Sequence, residues 1–162
     1  MLHPKQSNRA PGYRPALQIE STMLKPRVLF LCGANSCRTQ MAEGFLRDLA
    51  GDRFEAMSAG YEPSTEICPD AVEAMREIGI DISGQRPKKT DDFLGQRVGY
   101  VVTLCDREKE RSCPIFPGAM WRMIWPLEDP LQADSPQERR AAIRQVRDEI
   151  RRRVVEFISQ HA

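Results

Sequence analysis

The chain carries, directly after the apolar run Val28-Leu29-Phe30-Leu31, the segment Cys32-Gly33-Ala34-Asn35-Ser36-Cys37-Arg38-Thr39. This segment fits the pattern Cys-x5-Arg-Ser/Thr. The apolar run predicts a buried strand, and the amphipathic stretch after the segment predicts a helix. Five residues between the cysteine and the arginine let the backbone N–H groups of the loop converge on one point, at which the positive end of the helix is also aimed. The segment therefore predicts a loop that binds a tetrahedral oxyanion.

The side chains of this loop have distinct predicted roles. The positive field favours an ionised sulfur, so Cys32 is the predicted nucleophile. Arg38 offers a planar fork of donors to two oxyanion oxygens, and the Thr39 hydroxyl can donate to the sulfur. The two histidines, His3 and His161, lie near the ends of the chain, so no histidine is expected to activate the thiol. The alternative is a buried cysteine at a strand end, followed by a solvated helix face.

Two further cysteines and one carboxyl are candidates for the same chemistry. Cys105 ends a second predicted buried strand that begins at Val101, and Cys113 follows after a charged segment. Incidental thiols are one alternative. Zinc ligands are another, but paired CxxC motifs are missing, so no metal is predicted. Asp129 precedes Pro130 and is the candidate general acid, with a turn aspartate as the alternative and Glu128 as a competitor.

The run from Asn35-Ser36-Cys37-Arg38-Thr39 to Gln40-Met41-Ala42-Glu43-Gly44 resembles the thioredoxin-coupled arsenate reductases, which share the fold of the low-molecular-weight protein tyrosine phosphatases. The resemblance covers about residues 26 to 158. It implies that Cys32 attacks arsenate, that Cys105 attacks the adduct and releases arsenite, and that Cys113 attacks the resulting disulfide. The resemblance also aligns Asp129 with the general acid of that family. Thioredoxin is the electron donor that the resemblance implies, and glutaredoxin with glutathione is the alternative.

Three functions remain open at this stage. The segment Leu131-Gln132-Ala133-Asp134 has no aromatic residue after the Asp-Pro pair, which favours a small inorganic anion (arsenate, or phosphate or sulfate in the loop) over phosphotyrosine. A low-molecular-weight phosphatase that hydrolyses phosphate monoesters with Cys32 and water is the first alternative. A redox sensor with a stable Cys32–Cys37 disulfide is the second. Cys37 is otherwise a small packing residue, and Cys68 is interpreted as structural or incidental.

Some of the reductases that this sequence resembles bind potassium, which would place an ion near Asn35 and Glu43. Solvation of Glu43 on a helix face is the favoured interpretation. No tightly bound cofactor is expected.

Composition favours one modest domain. The chain has 162 residues and a net charge of +1, which gives no electrostatic argument for nucleic acid or a membrane. Residues 1–25 are polar and rich in proline and are predicted to be a flexible extension, and residues 26–160 a single catalytic domain. The sequence shows no signal segment and no apolar run near the ~20 residues of a membrane span. The five cysteines are therefore interpreted as reactive thiols of a cytoplasmic protein.

The rest of the chain alternates between predicted strands and helices. We predict strands at residues 54–60 and 121–125 and a helix at residues 69–79. The segment Ser135-Pro136-Gln137-Glu138 predicts the capped start of a final helix. We expect an α/β fold with three α/β/α layers, like that of the low-molecular-weight phosphatases. Its four-stranded parallel sheet has the predicted order 2-1-3-4, and the anion loop lies at the carboxyl end of the first strand.

Overall fold

The computed structural model describes residues 25–105 and 116–161. Within these ranges one parallel sheet forms, with the order β2-β1-β3-β4. Its strands are β1 (Arg27–Cys32), β2 (Glu55–Gly60), β3 (Val98–Thr103) and β4 (Ala119–Ile124). The predicted strand order is confirmed. Since the paired strands all run parallel, the four carboxyl ends lie at one edge of the sheet.

Three α-helices and two short 3-10 helices complete the described part. The α-helices are α1 (Arg38–Ala50), α2 (Pro69–Arg76) and α3 (Pro136–Gln160), and the 3-10 helices span Thr90–Phe93 and Pro130–Gln132. α3 begins as predicted, because Ser135 Oγ accepts a hydrogen bond of 3.1 Å from the Glu138 N–H. α2 ends at Arg76, earlier than the predicted Gly79, which adopts a left-handed φ of 83° in the turn that follows.

β1 lies in the middle of the core and is buried on both faces. Val28 and Phe30 belong to the larger hydrophobic cluster, to which α1, α2 and α3 all contribute. Leu29 and Leu31 belong to a second cluster on the other face, closed by Phe93 and residues such as Phe116. This alternation explains why the strand reads as a continuous apolar run, as central parallel strands do.

The apolar face of α1 is buried except in the last turn of the helix. Met41, Phe45 and Leu46 are buried, whereas Leu49 is 39% exposed. Among the described residues, no helix combines the length and the apolar composition that crossing a bilayer requires.

Candidate active site

The loop after β1 turns sharply at Asn35. Its φ of 52° lies in the left-handed region, which asparagine tolerates better than most residues other than glycine. This turn directs the Asn35 N–H at the end of the strand, where it donates to Cys32 Sγ over 3.1 Å. Asn35 to Thr39 are buried, whereas Gly33 is exposed and Ala34 is half-buried. The loop is therefore part of the core on one side and open on the other.

The Cys32 sulfur has a second polar neighbour in Thr39. Cys32 Sγ and Thr39 Oγ1 lie 3.2 Å apart. The Asn35 side-chain Nδ2 donates to the same Oγ1 over 2.8 Å. Because the hydroxyl oxygen already accepts a hydrogen bond, its own hydrogen can be directed at the sulfur. Both contacts suit a negatively charged sulfur.

The carbonyl groups of the loop are directed at the segment after β2. The Gly33, Ala34 and Ser36 carbonyls accept hydrogen bonds from the N–H groups of Glu62, Ser64 and Cys68, each of 2.9 Å. In a trans peptide the N–H points away from the C=O, so the N–H groups of the following residues are directed at the centre of the loop. The contact of the Asn35 N–H with sulfur has this orientation. The loop can therefore present several amides to an anion.

Gly60, the last residue of β2, permits this close approach. A Cβ atom at Gly60 would lie 2.6 Å from the Gly33 carbonyl oxygen and 3.0 Å from the Asn35 nitrogen. Only a residue without a side chain fits there without displacing the loop. The sequence analysis missed this role, because the two segments are far apart in the chain.

A buried amide network fixes the Asn35 side chain. Gln40 is fully buried, and its Nε2 donates to Asn35 O over 2.9 Å and to Asn35 Oδ1 over 3.0 Å. The Lys88 N–H donates to the same Oδ1 over 2.9 Å. Gln85 Nε2 in turn donates to Gln40 Oε1 over 2.8 Å. Gln85 and Lys88 come from a distant loop, and no local sequence signal links them to the site.

Arg38 connects the loop to the segment that carries the candidate acid. Its side chain is largely buried at the start of α1, and Nη1 donates to the Leu127 carbonyl over 2.8 Å. Asp129 lies two residues later and is half-buried, whereas Glu128 is exposed. Asp129 Oδ1 accepts from the Leu131 N–H over 3.0 Å and caps the short helix Pro130–Gln132. Asp129 therefore has the local turn role that sequence reasoning named as the alternative, beside the loop.

Cys105 lies near the carboxyl end of the neighbouring strand. Leu31 pairs with Thr103 in the β1–β3 register, and the Leu104 N–H donates to the Leu31 carbonyl over 2.9 Å. Cys105 is thus one residue beyond the position level with Cys32, on a strand about 4.8 Å away. It is buried, with 3% of its surface exposed. Cys113, the third cysteine of the predicted cascade, lies outside the described residues.

Glu43 and Lys88 form a partly buried charge pair behind the loop. Lys88 Nζ lies 3.6 Å from Glu43 Oε1, and Arg47 Nη2 lies 3.5 Å from the same oxygen. Burial raises the pKa of Glu43 and lowers the pKa of Lys88 from their ordinary values. Among the described residues, no group of three His, Cys, Asp or Glu side chains could hold a metal ion. The Asn35 amide oxygen is taken by hydrogen bonds and Glu43 faces two cations, so this arrangement does not fit potassium.

Comparisons with known proteins agree with this geometry. Residues 27–161 match the family model described as low molecular weight phosphotyrosine protein phosphatase. An arsenate reductase of Halalkalibacterium halodurans is 43% identical over 136 residues, which is 83% of this chain and 96% of that protein.

Solved structures of arsenate reductases resemble the chain as well. One, in its phosphate binding state, superposes with a TM-score of 0.72 at 32% identity and covers 85% of this chain and 99% of its own. The thioredoxin-dependent arsenate reductase of Corynebacterium glutamicum superposes with a TM-score of 0.64 at 34% identity, covering 83% of this chain and 61% of that one. The chain thus belongs to the low molecular weight phosphotyrosine protein phosphatase family and, within it, to the group of the arsenate reductases.

Proposed function

We propose that this protein reduces arsenate to arsenite and passes the resulting disulfide to thioredoxin. The activity is the one named for its relatives, and the resemblance seen in the sequence agrees with it. The observation that carries the proposal is the position of Cys105, a buried cysteine two residues past the end of β3, the strand next to the one that ends in Cys32. A phosphatase needs only the first thiol and water, whereas a reductase needs a second sulfur close by to supply electrons.

In the proposed first step, the Cys32 thiolate attacks arsenic and forms a sulfur–arsenic bond. Arg38 and the loop amides hold the remaining oxygens, which carry the negative charge. Asp129 protonates the departing oxygen, which leaves as water. The hydrogen bonds from Asn35 and Thr39 to Cys32 Sγ, at 3.1 and 3.2 Å, support the role of Cys32 because they stabilise charge on that sulfur.

The electrons move in the second step. The Cys105 thiolate attacks Cys32 Sγ, the sulfur–arsenic bond breaks, and its electron pair remains on arsenic, which leaves as arsenite. Cys113 then attacks Cys105 and releases the Cys32 thiolate. Thioredoxin reduces the final Cys105–Cys113 disulfide. A cytoplasmic location, where thiols stay reduced, fits this cycle.

No step in this proposal uses a cofactor. The Lys88 ammonium supplies positive charge beside Glu43. Residues 26–160 are proposed as the catalytic domain, and the predicted extension before them lies, up to residue 24, outside the described residues.

The test is NADPH oxidation coupled through thioredoxin reductase and thioredoxin after addition of arsenate. Turnover should be abolished in each of the variants Cys32→Ser, Cys105→Ser and Cys113→Ser. The control is Cys68→Ser, the same substitution at a cysteine outside the cascade, which should retain turnover under reducing conditions. Arsenite should form in proportion to the NADPH consumed. Replacing thioredoxin by glutaredoxin and glutathione should give no turnover.

One pattern of activities would overturn the proposed reduction of arsenate. If arsenate caused no turnover while an aryl phosphate was hydrolysed equally well by the wild type and by Cys105→Ser, the protein would be a phosphatase. Weak hydrolysis alone would not decide the question, because the first thiol and the loop suffice for it. Dependence on Cys105 separates the two functions.

A further inference from the structure

Two cysteines outside the proposed cascade begin neighbouring helices. Cys37 is the N-cap residue of α1, and Cys68 is the N-cap residue of α2. The Cys68 N–H donates to the carbonyl of Ser36, the residue before Cys37, over 2.9 Å. Standard backbone dimensions then limit the distance between the Cα atoms of Cys37 and Cys68 to at most about 7 Å. Disulfides span Cα distances of roughly 4.4 to 6.8 Å, so the two backbones lie within or close to the range that a disulfide requires.

The surroundings of Cys37 also point to Cys68. Cys37 is buried in the larger hydrophobic cluster, and Cys68 packs against the same cluster. Burial is the main cause that raises the pKa of Cys37, and Cys68 is the next largest. Cys32 has the smallest effect of the groups that act on Cys37. Cys37 and Cys68 thus share one apolar environment, in which Cys68 acts electrostatically on Cys37.

The two thiols differ in access. Cys37 is 3% exposed, whereas Cys68 is half-buried. Because more of its surface is exposed, Cys68 is the thiol of the pair that a small oxidant reaches first.

We propose that Cys37 and Cys68 form a second redox pair, which closes to a disulfide under peroxide and keeps Cys37 from bonding to the nucleophile Cys32. Peroxide oxidises the Cys68 thiol to a sulfenic acid and is itself reduced to water. The Cys37 sulfur then displaces the hydroxyl group, so that the sulfur–oxygen bond breaks and the sulfur–sulfur bond forms. The second water leaves with the proton of Cys37, and a dithiol reverses the reaction.

Closure of this pair preserves the loop. The three hydrogen bonds of 2.9 Å that join Gly33, Ala34 and Ser36 to the segment after β2 already hold the two backbones together. A Cys32–Cys37 disulfide would instead consume the sulfur that attacks substrate. Cys68 thus acts as a guard thiol, because a Cys37 that is already bonded to Cys68 cannot bond to Cys32.

The test maps the disulfides of the full chain. The reduced protein is treated with graded hydrogen peroxide without thioredoxin, remaining thiols are alkylated, and linked peptides are identified by mass spectrometry. In most molecules in which the Cys37 thiol has been oxidised, we expect a disulfide between Cys37 and Cys68. Dithiothreitol should reduce this disulfide. The same link should form in Cys32→Ser. The proposal is wrong if Cys37 is found bonded mainly to Cys32, or if it remains alkylatable after Cys68 is oxidised.

A variant pair tests the guarding effect. After matched peroxide treatment, Cys68→Ser should contain the Cys32–Cys37 link and lose activity on an aryl phosphate at least about 5-fold more than the wild type. Ser64→Ala, an exposed change in the same segment that keeps the thiol, should behave as the wild type. Equal loss of activity in Cys68→Ser and the wild type would refute guarding. Neither readout uses arsenate, so the result is independent of the proposed reduction.

Discussion

The two sides of Cys32 are built differently. On one side, here called the network side, Asn35 is joined to Cys32, Thr39, Gln40 and Lys88 by five hydrogen bonds. On the other side, here called the acid side, Arg38 joins the loop to residues 127–131 by a hydrogen bond to the Leu127 carbonyl. Asp129 in this segment accepts a hydrogen bond from the Leu131 N–H of its own turn. The contrast separates the proposed nucleophile, held by a network of hydrogen bonds, from the proposed acid, which belongs to a segment joined to the loop through Arg38.

This difference has a mechanistic consequence. The network side consists of buried groups that satisfy one another, so it keeps the same geometry with or without an anion. Arg38 is different, since the guanidinium proposed to hold the oxyanion also donates to Leu127. We therefore expect binding of an anion to affect the position of Asp129, whereas the network side sets where the sulfur lies.

Asn35→Ala should have the largest effect, because it changes both stability and rate. It strains a residue at positive φ and leaves the Lys88 N–H and the Thr39 hydroxyl without their partner, which should lower the free energy of unfolding by about 3 kcal/mol. A misplaced sulfur should lower kcat by about 100-fold. Urea unfolding and arsenate turnover measure the two effects.

Asn35→Gly is the matched variant, since glycine adopts the same φ without strain. It should recover about 1 kcal/mol of stability relative to Asn35→Ala but none of the lost rate. Wild-type turnover in either variant would show that the network side does not position the nucleophile.

Asp129→Asn should reduce the rate without a loss of stability. Asparagine can still accept the hydrogen bond from the Leu131 N–H, so the turn is kept, while the proton donor is lost. Turnover should fall by about 100-fold or more. Glu128→Gln is the control and should be neutral, because Glu128 is exposed. If the Glu128 variant lost activity and the Asp129 variant did not, the acid would be assigned to the wrong carboxyl.

The division between the two sides also explains what the sequence could predict. The strand, the loop and the start of α1 are contiguous, so the spacing of Cys32, Arg38 and Thr39 was enough to predict the anion loop. The cap at Ser135 was predicted for the same reason, since it involves residues only three apart. The sheet order follows the resemblance, and the structure confirms it.

The partners that hold the loop could not be predicted. Lys88 reaches Asn35 across 53 residues and Leu127 reaches Arg38 across 89, so these contacts exist only after the sheet has assembled. The ion pair of Lys88 with Glu43 is likewise a contact between residues that are far apart in the chain. The need for a residue without a side chain at position 60 could not be predicted either, because glycine occurs at strand ends for many different reasons.

Gly60→Ala tests whether the network side resists compression. The added methyl group would lie 2.6 Å from the Gly33 carbonyl oxygen, so the loop must shift by several tenths of an ångström. We expect turnover to fall about 10-fold and the free energy of unfolding by about 1–2 kcal/mol. Gly84→Ala is the control, since a Cβ there meets no atom within 4 Å. Equal results for both variants would mean that the loop adjusts freely.

Glu43→Gln tests the charged end of the network side and should have the smallest effect, visible as a change in pH dependence. The pKa of Glu43 is raised from 4.5 in the folded state, chiefly by burial and against the attraction of Lys88 and Arg47. The folded protein thus binds this proton more tightly than the unfolded chain. As pH rises above 4.5, the unfolded chain loses the proton first, so the carboxyl lowers the free energy of unfolding progressively until the folded state is ionised as well.

Glutamine cannot titrate, so Glu43→Gln should gain stability relative to the wild type as pH rises from about 4 to 6.5 in urea unfolding experiments. Glu62→Gln, an exposed carboxyl on the segment after β2, is the control and should not show this trend. A difference between Glu43→Gln and the wild type that shrank as pH rose would mean that Lys88 and Arg47 outweigh burial. The ionised Glu43 carboxyl would then raise the free energy of unfolding instead of lowering it.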